Sequence, residues 1–163
     1  MFALNSRAWD GERVYPLLSS KLDTSIKKNT GFIKKLRKGF TKENKNSLLK
    51  DIGEISLEKY LSEIISTINE VTSNISNKND EILTAIEVIS AMHQRFNANF
   101  TVEFFGLFLT NFTNPTEELT DKDENFRVNK LKGNLKVLTE LYLVNIFRTE
   151  DMIESRDILP FYI

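Results

Sequence analysis

The chain has 163 residues, 40% of them hydrophobic and 28% charged, enough for one domain with a real core and short for two. Cysteine is absent, which excludes disulfides and thiol chemistry, and no apolar run approaches the roughly 18 residues a spanning helix needs. The net charge of −1 hides an asymmetry: residues 21–45 carry nine Lys or Arg against Asp23 and Glu43, so that segment stands at +7 and the remainder at −8.

Residues 1–19 show no clean period, and Asp10-Gly11 and Pro16 read as turns, so an extended N-terminal arm is expected there. A helical pattern begins at Ser20, with Leu22, Ile26, Ile33 and Leu36 near one face and Gly39 as its stop. Residues 41–55 read as a loop with one short helical turn. The next helix has Ser56 as a cap, Glu58 at the positive end of the dipole, and a wide apolar face through Leu61, Ile64, Ile65, Ile68, Val71 and Ile75. Asn77-Lys78-Asn79 breaks it, and Asp80 caps a further helix to about Phe96. The stretch "TVEFFGLFLTNF" is another helix, ended by Asn114-Pro115. The last long helix starts near Thr116 or Glu118 and runs to about Phe147, followed by a weaker segment in which Pro160 discourages continuation.

No alternating run bounded by hairpin turns is present, so strands are not needed and the expectation is an all-α chain. Short links between consecutive helices favour antiparallel pairs. Three such hairpins side by side make a short α-solenoid, HEAT-like in plan, over residues 20–163; a closed bundle fits the helix count equally well.

Gly133 raises a question, because glycine costs a helix about 1 kcal/mol relative to alanine. Around it, Leu131, Leu135, Leu138, Tyr142 and Ile146 line one face and Val137, Leu141 and Val144 the next, leaving Lys132, Lys136 and Glu140 as a narrow polar strip. A helix apolar over so much of its girth is expected to be buried on several sides. Gly133 then marks a close approach that a Cβ would obstruct, and Asn134 beside it would bond a neighbouring backbone group.

The helix "KLKGNLKVLTELYLVNIF" resembles the hallmark helix of the middle domain of eukaryotic initiation factor 4G, with Gly133-Asn134 and then Glu140-Leu141 at the family's spacing. The stretches "LNSRAWDGE", "KLDTSIKKNTGFIKKLRKGF", "SLEKYLSEIIST", "AIEVISAMHQRF" and "GNLKVLTELYLVNIFRTEDMIESRDILP" are similar to the first such domain of the fungal up-frameshift protein 2 family, the scaffolds of nonsense-mediated mRNA decay. The resemblance implies stacked antiparallel helix pairs. It also implies a non-enzymatic scaffold module whose partners are proteins of the mRNA surveillance machinery, working in the cytoplasm. Members of that family are much longer and bind other up-frameshift proteins through regions with no counterpart here. The chain is therefore expected to be the front portion of a longer protein or a truncated product, with an exposed apolar surface around Ile153, Ile158, Leu159 and Phe161.

Catalytic chemistry finds few candidates. The lone histidine, His93, shares a face with Ile82, Ile86, Ile89 and Phe96 and reads as packed; with no cysteine beside it, neither a metal nor a catalytic residue is expected. The six glycines are scattered, so no phosphate-cradling loop exists and no cofactor, small-molecule substrate or membrane is implied. Glu140 reads as the partner of Lys136 one turn earlier. Phe100, Phe104, Phe108 and Phe112 recur every four residues, as core or as a partner groove. Trp9 is either an anchor for the N-terminal arm or an interface residue. The candidate binding patch is Lys27, Lys28, Lys34, Lys35, Arg37 and Lys38. It is a solvated face, a contact for an acidic protein, or a weak general contact for RNA phosphates, with no interleaved aromatics to read bases.

Overall fold

The computed structural model describes residues 1–150, so the surface expected around Ile153, Ile158, Leu159 and Phe161 lies outside the described residues. Helix α1 spans Phe2–Trp9, α2 Ile26–Arg37, α3 Lys42–Glu54, α4 Leu61–Ser73, α5 Asn79–Phe96, α6 Ala98–Phe108 and α7 Asp121–Leu143. Short 3-10 turns precede α4 (Glu58–Tyr60) and follow α6 (Leu109–Phe112). Helix α4 lies between α2 and α6, and α5 lies between α3 and α7, so α2, α4 and α6 form one layer and α3, α5 and α7 the other. That is the all-α ladder of three hairpins. The only strand-like feature among the described residues is an isolated bridge between Asp23 and Ile55.

The core runs between the layers. Ile64, Ile65 and Ile68 of α4 and Val88, Ile89 and Met92 of α5 belong to one buried cluster, all with no exposed surface. Phe100, Phe104 and Phe108 are likewise fully buried, with successive ring centroids 5.7 and 5.4 Å apart, so the four-residue aromatic stripe is core.

Several local expectations change. Residues 2–9 of the supposed extended arm are helical. Two turns are too short to show a period, and the buried face consists of Asn5 and Ala8. Asn5 Nδ2 donates to the Val144 carbonyl (2.8 Å), and Gln94 Nε2 donates to Asn5 Oδ1 (2.8 Å), so hydrogen bonds rather than apolar bulk dock α1. Trp9 is the anchor: its Nε1 donates to the Asn145 carbonyl at 3.0 Å. Residues 42–54, read as a loop, form α3 because Leu48, Ile52 and the chain crossing above Gly53 supply tertiary contact that propensity does not predict. Leu18 N–H donates to the Gly53 carbonyl there, and a Cβ on Gly53 would stand 3.1 Å from both the Leu18 side chain and the Pro16 carbonyl.

Ser56 does not cap α4; its hydroxyl donates to Glu58 Oε2 at 2.9 Å, and the helix begins after the 3-10 turn. Asp80 lies inside α5, whose cap position is Lys78. Helix α7 starts later than expected, because the Thr120 hydroxyl accepts the Asp123 N–H and fixes the first turn there. Ile26 is 68% exposed, and the buried face of α2 is Asn29, Phe32, Ile33 and Leu36.

Candidate functional site

The cations of α2 divide by the direction each turn faces. Because Asn29, Phe32, Ile33 and Leu36 fix the inward face, Lys27, Lys34 and Lys38 fall on one outward line at i, i+7 and i+11. None of these three joins an ion pair among the described residues. Lys28 lies near Asp23, whose carboxyl is held below its ordinary pKa first by hydrogen bonds from Ser25 and, least, by that lysine. Lys35 Nζ bonds Asp51 Oδ2 (2.5 Å) and Ser47 Oγ (2.7 Å), pinning α2 to α3. Arg37 stands 3.8 Å from Glu63 on α4. The six residues are therefore three uncompensated lysines, one flanked by a carboxylate, and two held by neighbouring helices.

On α7 the buried residues are Gly133, Asn134, Val137 and Leu141. This is a single narrow face. Leu135, Tyr142 and Leu143 are 57%, 61% and 59% exposed, so the helix is not enclosed on several sides, and among the described residues its main neighbours are α4, α5 and the 3-10 turn after α6. Gly133 sits where a Cβ would come within 3.2 Å of the Ile75 carbonyl oxygen, in the turn after α4. The close approach is thus to turn backbone rather than to a helix flank. Asn134 is fully buried, yet neither of its amide atoms makes a hydrogen bond among the described residues; the backbone partner expected for it is not there.

Backbone cannot retreat as a flexible side chain can, so Gly133→Leu is expected to cost about 2 kcal/mol through overpacking, despite its gain in helix propensity. Gly133→Ala, which gains about 1 kcal/mol of propensity against a milder contact, is expected to fall near neutral. Urea denaturation of the two variants checks this, and a Gly133→Leu midpoint at or above that of the wild type would refute the close-approach account.

Glu140 forms no ion pair with Lys136 among the described residues. The two instead line a groove of about 700 Å³ between α7 and the first turns of α5, together with Lys132, Leu135, Ile82 and Leu83. Sequence reading missed this groove. Its signal was Leu83, a large apolar residue one step off the buried stripe of α5 and 51% exposed.

His93 takes no part in a site of this kind. Its Nδ1 is 2.6 Å from Thr101 Oγ1 and its Nε2 is 3.1 Å from the Asn5 carbonyl, inside the core. Among the described residues no helix is long and apolar enough to cross a membrane, and no cluster of three or more His, Asp or Glu side chains is placed to hold a metal ion.

Comparison with known proteins places this geometry. Residues 26–160 match the model of the MIF4G domain. The chain is 58% identical over 158 residues to Nonsense-mediated mRNA decay protein 2 of Saccharomyces cerevisiae, covering 96% of itself and 14% of that protein. It is 34% identical over 132 residues to human Regulator of nonsense transcripts 2, covering 81% of itself and 10% of that protein. Among solved structures it superimposes with a TM-score of 0.88 and 57% identity on the N-terminal mIF4G domain from S. cerevisiae Upf2, a protein involved in the degradation of mRNAs containing premature stop codons. That match covers 96% of this chain and 49% of the other. The chain thus spans a small part of the curated relatives it resembles. The match over residues 26–160 and the superposition on a solved mIF4G domain show that the chain belongs to the MIF4G domain family.

Proposed function

We propose that the chain is a non-enzymatic scaffold module of nonsense-mediated mRNA decay, working in the cytoplasm through contacts with proteins of the mRNA surveillance machinery. The observation that carries this reading is that 96% of this chain matches, at 57% identity, about half of the solved chain of the N-terminal mIF4G domain from S. cerevisiae Upf2. The surfaces of this chain agree in kind. They are a charged outward line on α2 and an apolar groove on α7, each on a rigid stack and suited to being gripped. Affinity capture from native extract tests the reading. Recovery of known decay factors by the wild-type chain is expected, and their absence from repeated captures under gentle washing would reject it.

A second reading, general RNA binding, is favoured by one observation: Lys27, Lys34 and Lys38 lie uncompensated on a single line. Three lysines releasing counterions from a single strand give a slope of about −2 in log affinity against log salt. Under this reading single-stranded RNA is retained at low salt and, more weakly, near physiological salt, and no retention near physiological salt would reject it. A charge-reversed Lys27→Glu/Lys34→Glu/Lys38→Glu chain should show none at any salt. Binding that survives physiological salt and is lost in this variant would favour RNA over the scaffold reading.

A further inference from the structure

We propose that the groove between α5 and α7 docks an acidic amphipathic helix of a partner protein, an inference that rests on the scaffold reading and gives it a site. Leu83 and Leu135 face this groove, each more than half exposed, above the buried Ile82. Apolar surface of that size, outside the core and between two rigid helices, is where the apolar stripe of an incoming helix settles. Lys132 and Lys136 stand three residues before and one after Leu135, and neither is in an ion pair among the described residues.

The acids at the start of α5 are already engaged. Asp80 pairs with Lys42 at 2.8 Å, and Glu81 is bonded by Ser76 (2.6 Å) and lies 3.8 Å from Lys78. Two lysines against the single carboxylate of Glu140 leave the groove with a positive surplus beside exposed leucines. The complementary ligand is a helix with large apolar residues at three- and four-residue spacing, flanked by Asp or Glu. Glu140 opposes such a ligand, so its neutralisation should tighten binding.

The probes are a fluorescein-labelled amphipathic peptide of about 15 residues, leucines on one face and glutamates on the flanks, and its counterpart with lysine for every glutamate. Anisotropy titration on the whole chain is expected to show the acidic peptide binding about tenfold tighter than the basic one, since each exposed ion pair contributes up to about 1 kcal/mol. Lys132→Glu/Lys136→Glu should invert that order, Leu83→Ser/Leu135→Ser should weaken both peptides, and Glu140→Gln should tighten the acidic one. Circular dichroism confirms that these surface variants stay folded. Equal affinity for the two peptides overturns the proposal. So does indifference to the charge reversal, or a wild-type dimer in sedimentation that Leu135→Ser dissolves, since a second copy would then fill the groove. Capture from native extract keeps the two readings apart. Decay factors recovered without any peptide charge preference remove the groove alone, and an intact preference without decay factors removes the scaffold reading alone.

Discussion

Replacing Arg95 with methionine is expected to cost about 3 kcal/mol of stability, more than any surface charge in this chain can account for. Arg95 lies on α5 with its side chain 5% exposed. Its guanidinium donates through Nη1 to the carbonyls of Ile52 and Ile55 (2.7 Å to the latter), and Nη2 donates to Glu58 Oε1 at 3.1 Å. The two carbonyls lie at the C-terminal end of α3, where the last helical oxygens have no partner of their own, so one buried side chain caps α3 from a neighbouring helix. Burial lowers the guanidinium's pKa, against the pull of Glu58, from a value so high that the group stays charged.

Methionine fills the same volume and strands both acceptors, each loss costing about 1–3 kcal/mol. Lysine keeps the charge but not the fork, so Arg95→Lys should lose roughly half as much. Glu58→Gln should lose under about 1 kcal/mol, because that carboxylate is mostly in water. Urea unfolding followed by circular dichroism reads all three. Should Arg95→Met and Glu58→Gln prove equally mild, the capping role fails.

That residue also shows where sequence reading stopped. The apolar stripes of α4, α5 and α6 were legible because burial there is a matter of period, and period is visible in one dimension. Gly133 was legible for a related reason, since a residue that penalises a helix amid strong apolar pattern needs a steric cause, here the Ile75 carbonyl. Arg95 was not, because nothing in "AMHQRF" reveals acceptors some 40 positions away. Helices α1 and α3 were lost for the same reason: Asn5, Asp51 and Gly53 are buried by hydrogen bonds, an ion pair and a crossing chain, none of which leaves an apolar signature. On α7 the pattern gave apolarity and not its cover, so Leu135 was placed inside when it faces the groove. The basic segment was visible as composition, but which lysines stay uncompensated depends on where α3 and α4 place Asp51 and Glu63.

Stability is expected to fall by about 2 kcal/mol between pH 7 and pH 5, with His93 as the cause. Burial among Trp9, Thr101 and α1 lowers its pKa to about 4, against weaker opposing hydrogen bonds to backbone, from an ordinary value near 6.5. At neutral pH the ring is uncharged. The Asn5 carbonyl can only accept, so Nε2 carries the proton and donates to it, while Nδ1 accepts from the Thr101 hydroxyl. Well above pH 6.5 the folded and unfolded chains hold the same number of protons on this residue and it contributes no slope. Between 6.5 and 4 the unfolded chain takes up a proton that the folded chain refuses, so stability drops as the pH falls, reaching a loss of about 3 kcal/mol at pH 4. Carboxylates such as Asp23 and Glu124, whose pKa values are lowered in the fold, add a loss of the same sign, but only below their own ordinary range. The interval from pH 7 to 5 therefore belongs to the one histidine. Glutamine can donate to Asn5 and accept from Thr101 without titrating, so His93→Gln should show a nearly flat profile there in urea unfolding at pH 7, 6 and 5. If that variant falls as steeply as the wild type, the burial of a neutral ring between α1 and α6 is not what couples this fold to acid.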